Sequence, residues 1–134
     1  MQRIESPRTD DSAIEAEIKA KGLTAPRVTP ADIEENIVSF HYFTAAEGAW
    51  GDTHLSHEYE GSPLHLLTFC VLVLRNGFTV TGESACASPE NFDAEVGKKI
   101  ARQNAVNKIW PLLGYQLKQR LHEEAVEVGA LNLP

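Results

Sequence analysis

The most regular stretch of the chain is LHLLTFCVLVLRNGFTVTGESAC, residues 64–86. An apolar run rich in branched and aromatic residues gives way to the turn pair Asn76 and Gly77, and then to the alternating FTVTG. This pattern predicts a β-hairpin over 66–85. A two-residue turn would set Arg75 opposite Phe78, Val73 opposite Val80 and Leu72 opposite Thr81. The competing reading is a helix over 63–74 stopped by Asn76 and Gly77; the TFCVLV run is richer in strand formers and favours the hairpin. Its first strand is apolar on both faces, so each side needs cover, which predicts helices over the sheet and a homo-oligomer.

Helical spacing dominates the flanks. Val106, Ile109, Trp110, Leu113, Leu117 and Leu121 recur on one helical face. Upstream, Phe92, Val96 and Ile100 form a stripe that, continued, reaches Gln103 and Asn107, so the buried face changes along this long C-terminal helix. Pro111 marks the expected kink, because its ring removes a donor and crowds the carbonyl of Asn107. Ser88, ahead of Pro89 and Glu90, and Asn91 are alternative caps, with Asp93 and Glu95 in a first turn. Residues 25–43 predict a further helix, with Thr29 as N-cap, Pro30 at the first position, and Ile33, Ile37 and Phe40 facing inward. A weaker helix over 11–21 carries only Ala13, Ile14 and Ile18 as apolar content and stops at Gly22. Residues 44–63 mix Gly, small polar and aromatic residues without a period and read as a long loop.

The expected fold class is therefore α+β, a small antiparallel hairpin sheet covered by helices. Residues 1–27 form an acidic leader, a weak helix or partly disordered, and 28–134 form one domain. Composition adds that the chain is 43% hydrophobic and 23% charged, with no apolar run of membrane-spanning length and no signal-peptide core at its start. Two cysteines, Cys70 and Cys86, are too few for a disulfide framework, which favours free thiols in a reducing cytoplasm. The net charge of −7 is unevenly placed: residues 1–60 hold 5 Lys/Arg against 12 Asp/Glu, and residues 61–134 hold 7 of each. Between 98 and 122 stand Lys98, Lys99, Arg102, Lys108, Lys118 and Arg120 without one acid.

The strings VSFHYFTA and LLTFCVLVLRNGFTVTGESACASPENFDAEVGKKIARQNAVNKIWPLLGYQLKQRL, within residues 28–121, carry a resemblance. They resemble the small tailed-phage protein family named for gene product forty-nine of phage N-four and gene product sixty-six of phage Sf-six. The resemblance implies phage or prophage origin and action in the bacterial host cytoplasm. It supplies no catalytic residues.

Catalytic and metal chemistry find little support in the residues. Asp52, His54 and His57 are the only local metal-like cluster and lack a second close pair, so no metal or other cofactor is expected. Cys86 or Ser84 with His41 as base lacks a strained nucleophile turn and a supporting acid. Glu83 with Asp93 could pair for acid–base work, but a solvated Glu83 and a helix-capping Asp93 are the simpler account. Gly82 has neither the repeated glycines nor the Lys-Ser/Thr ending of a phosphate loop.

A binding protein remains, and no enzyme is expected. A hairpin end feeding a helix start gathers N–H groups and small hydroxyls, a combination suited to anions. With the cations one to two turns in, and Tyr42, Phe43 and Trp50 nearby if the loop folds over, the candidate ligand residues are Tyr42, Glu83, Ser84, Ser88, Asn91, Lys98, Lys99 and Arg102. They predict a phage accessory protein that sequesters a small anionic, nucleotide-like ligand in host takeover or counter-defence. The alternatives are a non-enzymatic inhibitor of a host protein and, less favoured, a nucleic-acid binder using 98–120 to contact phosphates. Pairing of the cations with the acidic N-terminal half is the bland account of the same charges.

Overall fold

The structure, a computed structural model, describes residues 10–51 and 61–129. Its centre is a three-stranded antiparallel meander, β1 (Ile37–Thr44), β2 (Leu67–Leu74) and β3 (Thr79–Ala85), with β2 in the middle. Helix α1 (Asp11–Ala20) and helix α2 (Pro30–Asn36) precede β1, and α3 (Ala45–Trp50) follows it directly. The C-terminal helix α4 (Ala94–Glu127) is 34 residues long.

Side-chain alternation on β2 decides which face is the core. Thr68, Cys70, Leu72 and Leu74 are buried, while Phe69, Val71 and Val73 on the other face are half-buried. On β3 the buried positions are Val80 and Gly82, which pair with Leu72 and Cys70. Helix α4 lies over these two strands and closes the core with Ala101, Ala105, Val106 and Ile109; Ile33 of α2 completes it. The opposite sheet face receives α3 at one end, where Gly48 lies against the Phe43 ring and Phe43 stacks on Phe69 with centroids 5.6 Å apart.

The hairpin stands, but its turn is one residue longer than expected. Leu74 N–H donates to the Phe78 carbonyl and Gly77 N–H to the Leu74 carbonyl, enclosing Arg75, Asn76 and Gly77. Gly77 has φ 88, the left-handed conformation that ends a three-residue hairpin loop, and the Asn76 side chain accepts from Phe78 N–H. Val73 therefore pairs with Thr79 and Leu72 with Val80. Such a slip by one residue moves every side chain of β3 to the other face, and it is what puts Val80 and Gly82 under α4.

Two further expectations need correction. The helix expected over 25–43 ends at Asn36, and Ile37 and Phe40 are strand residues. Every residue of β1 except Ser39 and His41 is β-branched or aromatic, and pairing with β2 overrides a helical stripe resting on few positions. Thr29 and Asp32 do form the reciprocal capping box that starts α2. The loop expected over 44–63 begins instead with α3, because the Thr44 hydroxyl caps Glu47 N–H. The candidate ligands Asp52, His54 and His57 lie outside the described residues.

At the other end, Asp93 is the N-cap of α4, its Oδ1 accepting from Val96 N–H at 3.0 Å. Ser88 precedes a short 3₁₀ turn, Pro89–Asn91, and makes no side-chain cap. Helix α4 runs unbroken through Pro111 at an exposed position. Its buried face turns as the sequence pattern requires, but its first part is Gly97, Ala101 and Ala105, not Val96 and Ile100, which are exposed. Small residues let α4 come close to the sheet: a Cβ on Gly82 would run into the backbone of Ala101 and Ala105.

Candidate interaction surface

Because α4 covers β2 and β3, the helix-side surface of β1 is left beside it. Tyr42 stands across from the buried Cys70 in the sheet, on the same face. Burial pushes both the Tyr42 hydroxyl and the Cys70 thiol to higher pKa. Next to them Arg102 Nη2 donates to both carboxylate oxygens of Glu34, at 2.8 and 3.1 Å, tying α4 to α2. This pair holds the guanidinium charged, and part of the charge expected to be free for a ligand is neutralised within the chain. The Phe40 ring, 5.8 Å from that of Tyr42, is 59% exposed.

The structure brings some of the expected ligand residues together and separates others. Tyr42 lies within electrostatic reach of Arg102, and Lys98, four residues before Arg102, follows on the same flank of α4 with Glu95 at 3.6 Å. Lys99 points to solvent. Ser84 pairs with Thr68 on the helix side of β3, whereas Glu83 pairs with Phe69 and belongs to the opposite face. The Glu83 contact with α4 is through its backbone, whose carbonyl accepts from Asn104 Nδ2 at 2.8 Å. Ser88 and Asn91 lie in the connection to α4, where the Ser88 carbonyl accepts from Asn91 N–H and from the Cys86 thiol. Tyr42 and Phe43 fall on opposite sheet faces, and Trp50 stands near His65, so the aromatic residues do not form one cluster.

The remaining cations do not make a strip. At about 100° per residue along a continuous α-helix, Lys98, Arg102 and Arg120 share one side, while Lys118 falls about opposite and Lys108 on a third side. Arg120 also pairs with Glu124 at 3.5 Å. His41 lies on β1 and Ser84 on β3, on opposite faces with β2 between them. Among the described residues no group of three or more His, Cys, Asp or Glu side chains could hold a metal ion.

The feature the sequence reading missed is the outer edge of β1. Among the described residues its only strand neighbour is β2, and no backbone group bonds to its far side. Its eight residues, IVSFHYFT, contain no Lys, Arg, Asp, Glu, Pro or Gly, the residues that usually guard an exposed edge, whereas the other edge, β3, carries Glu83 and Gly82. Val38 is bulged out of register and 59% exposed, and Phe40 and His41 are exposed beside it. The signal was available in the β-branched and aromatic composition of 37–44.

The two thiols differ in accessibility. Cys70 is fully buried and Cys86 half-buried. A chromogenic disulfide reagent should titrate one thiol per native chain and the second only on unfolding; two equally fast thiols in the native protein would contradict this packing of β2 under α4.

A three-stranded antiparallel meander with one long helix across two of its strands places the protein among α+β domains. The chain belongs to the family described as phage protein (N4 Gp49/phage Sf6 gene 66), whose model matches residues 28–121. The match begins just before α2, takes in all three strands and ends within the distal part of α4. No curated protein and no solved structure matches the chain. Among the described residues no helix is long and apolar enough to cross a membrane.

Proposed function

We propose that this phage-encoded protein acts by association and not by catalysis, taking an extended segment of a host protein onto the free edge of β1. The edge of β1 carries the reading: eight residues of strand whose main-chain groups on one side have no partner among the described residues, with exposed apolar side chains at Val38 and Phe40. An added strand gains affinity from main-chain hydrogen bonds and specificity from side chains that alternate between the two faces. On the helix side it would meet Phe40, Tyr42 and the Arg102–Glu34 pair; on the other, His41. The bulge at Val38 guards only the start of the edge, leaving the regularly paired run from Ser39 to Thr44 for an added strand.

Sequestration of a small anionic ligand is the rival. It draws less support, because Arg102 is engaged by Glu34, Lys99 stands apart, and Glu83 belongs to the other sheet face.

The test is capture of the tagged protein from phage-infected cells, wild type beside a Phe40→Lys/His41→Lys double variant. Both positions are exposed, so the fold should survive. A stoichiometric partner held by wild type and lost by at least about tenfold in the double variant is expected for an edge that needs unguarded pairing. Equal capture by both, or pairing only with a second copy of this chain, would overturn the reading. In parallel, thermal unfolding against nucleotides, cyclic dinucleotides and ADP-ribose derivatives should show no ligand-specific shift. A rise in melting temperature lost in Lys99→Ala/Arg102→Ala would restore the small-ligand alternative.

A further inference from the structure

Helix α4 outruns the core it closes. At about 1.5 Å per residue its 34 residues span about 51 Å, yet Ile109 is its last fully buried residue and Leu113 the last packed against the core, leaving residues 114–127 beyond them. The apolar stripe nevertheless continues through Leu113, Leu117, Leu121 and Ala125, all only half-buried, to Val128, which is exposed. An apolar ridge on a projecting helix calls for a second helix along it. A groove of about 1160 Å³ opens beside the ridge, lined by Val28, Leu74, Phe78, Leu113 and Leu117 among others.

The charges on this segment say which helix fits. Lys118 and Arg120 come first, then Glu123, Glu124 and Glu127, so the segment changes sign along its length. A parallel copy would set like against like, whereas an antiparallel copy sets the basic turn of each against the acidic turn of the other. We infer that two copies of this chain associate through antiparallel distal halves of α4, with the two-fold axis near Leu121. Leu121 then meets its own counterpart, and Leu117 lies opposite Ala125 of the second copy. On the flank of the ridge Arg120 reaches Glu124 and Glu127 of that copy. Within one chain Arg120 and Glu124 are paired only at the surface, both side chains being 60% or more exposed, and a pair of that kind is readily exchanged for one across an interface.

This surface is separate from the β1 edge, and the test does not depend on it. Light scattering after gel filtration at tens of micromolar protein should give a dimer for the wild type. Arg120→Glu makes this flank of the segment wholly acidic and Glu124→Arg/Glu127→Arg makes it wholly basic; each variant alone should be monomeric. An equimolar mixture should recover the dimer as a heterodimer, with far-UV circular dichroism showing the helix content unchanged throughout. Leu117→Glu should be monomeric in every combination. A monomeric wild type, a mixture no more associated than its components, or a dimer that survives Leu117→Glu would each overturn the inference.

Discussion

Gly82→Ala is expected to destabilise the protein by about 3 kcal/mol, at the upper end of what overpacking a core usually costs. The added methyl would be driven into the Ala101 carbonyl and the Ala105 amide. Both are main-chain groups of α4, which cannot turn aside as a flexible side chain can. Relief requires the whole helix to rise from β2 and β3, and that opens space around Val106 and Ile109, which the same helix buries. Gly114→Ala is the matched control. A Cβ there meets nothing within 4 Å, and alanine is better than glycine inside a helix, so a gain of about 0.5–1 kcal/mol is expected. Urea unfolding of the two variants beside wild type measures both. A Gly82→Ala midpoint within error of wild type would show that α4 does not approach β3 this closely.

The contrast between these two glycines shows where the sequence was readable. In the stretch GESAC, Gly82 looked like a failed phosphate loop, and nothing local revealed that a helix some twenty residues later needs the space of a missing side chain. Asn76 and Gly77 announced the hairpin correctly, because turn chemistry is local. The register was not local in the same way: a two-residue and a three-residue loop both accept Asn-Gly, and burial of Val80 under α4 selects the longer one. Strand β1 was legible in composition and illegible in periodicity. Ile33, Ile37 and Phe40 imitate a helical face, while the β-branched and aromatic run after Asn36 requires a neighbour strand that only the fold supplies.

For the site, residue type was a better guide than arrangement. Lys98 and Arg102 lie about one turn apart on α4, as their spacing requires, and Tyr42 stands on the helix-side face of β1. The partner of Arg102, Glu34, comes from α2, 68 positions away in the chain, a pairing that charge totals could suggest but not place. Glu83 could be assigned a face only once the register was known. A helix over 25–43 leaves no edge to read at β1, since an edge exists only relative to a sheet.

Ile109→Ala is expected to cost about 3 kcal/mol, and Ile100→Ala less than about 0.5 kcal/mol, although both isoleucines belong to apolar stripes of the same helix. Ile109 has no exposed surface and packs within the core with Leu72 and Val80, so truncation removes buried methyl groups and leaves a cavity that a close-packed layer of helix on sheet cannot refill. Ile100 is 47% exposed, and alanine's higher helix propensity offsets part of what its partial burial contributes. The difference reports the rotational setting of α4. If the stripe Phe92, Val96 and Ile100 faced the sheet, the two costs would be comparable and Gly97, Ala101 and Ala105 would tolerate larger residues. With the helix set as described, those three small residues are the contact surface, and Ala101→Leu should be as damaging as Ile109→Ala. Comparable losses at 100 and 109 in chemical denaturation, together with a tolerated Ala101→Leu, would mean that α4 presents its other face to β2 and β3.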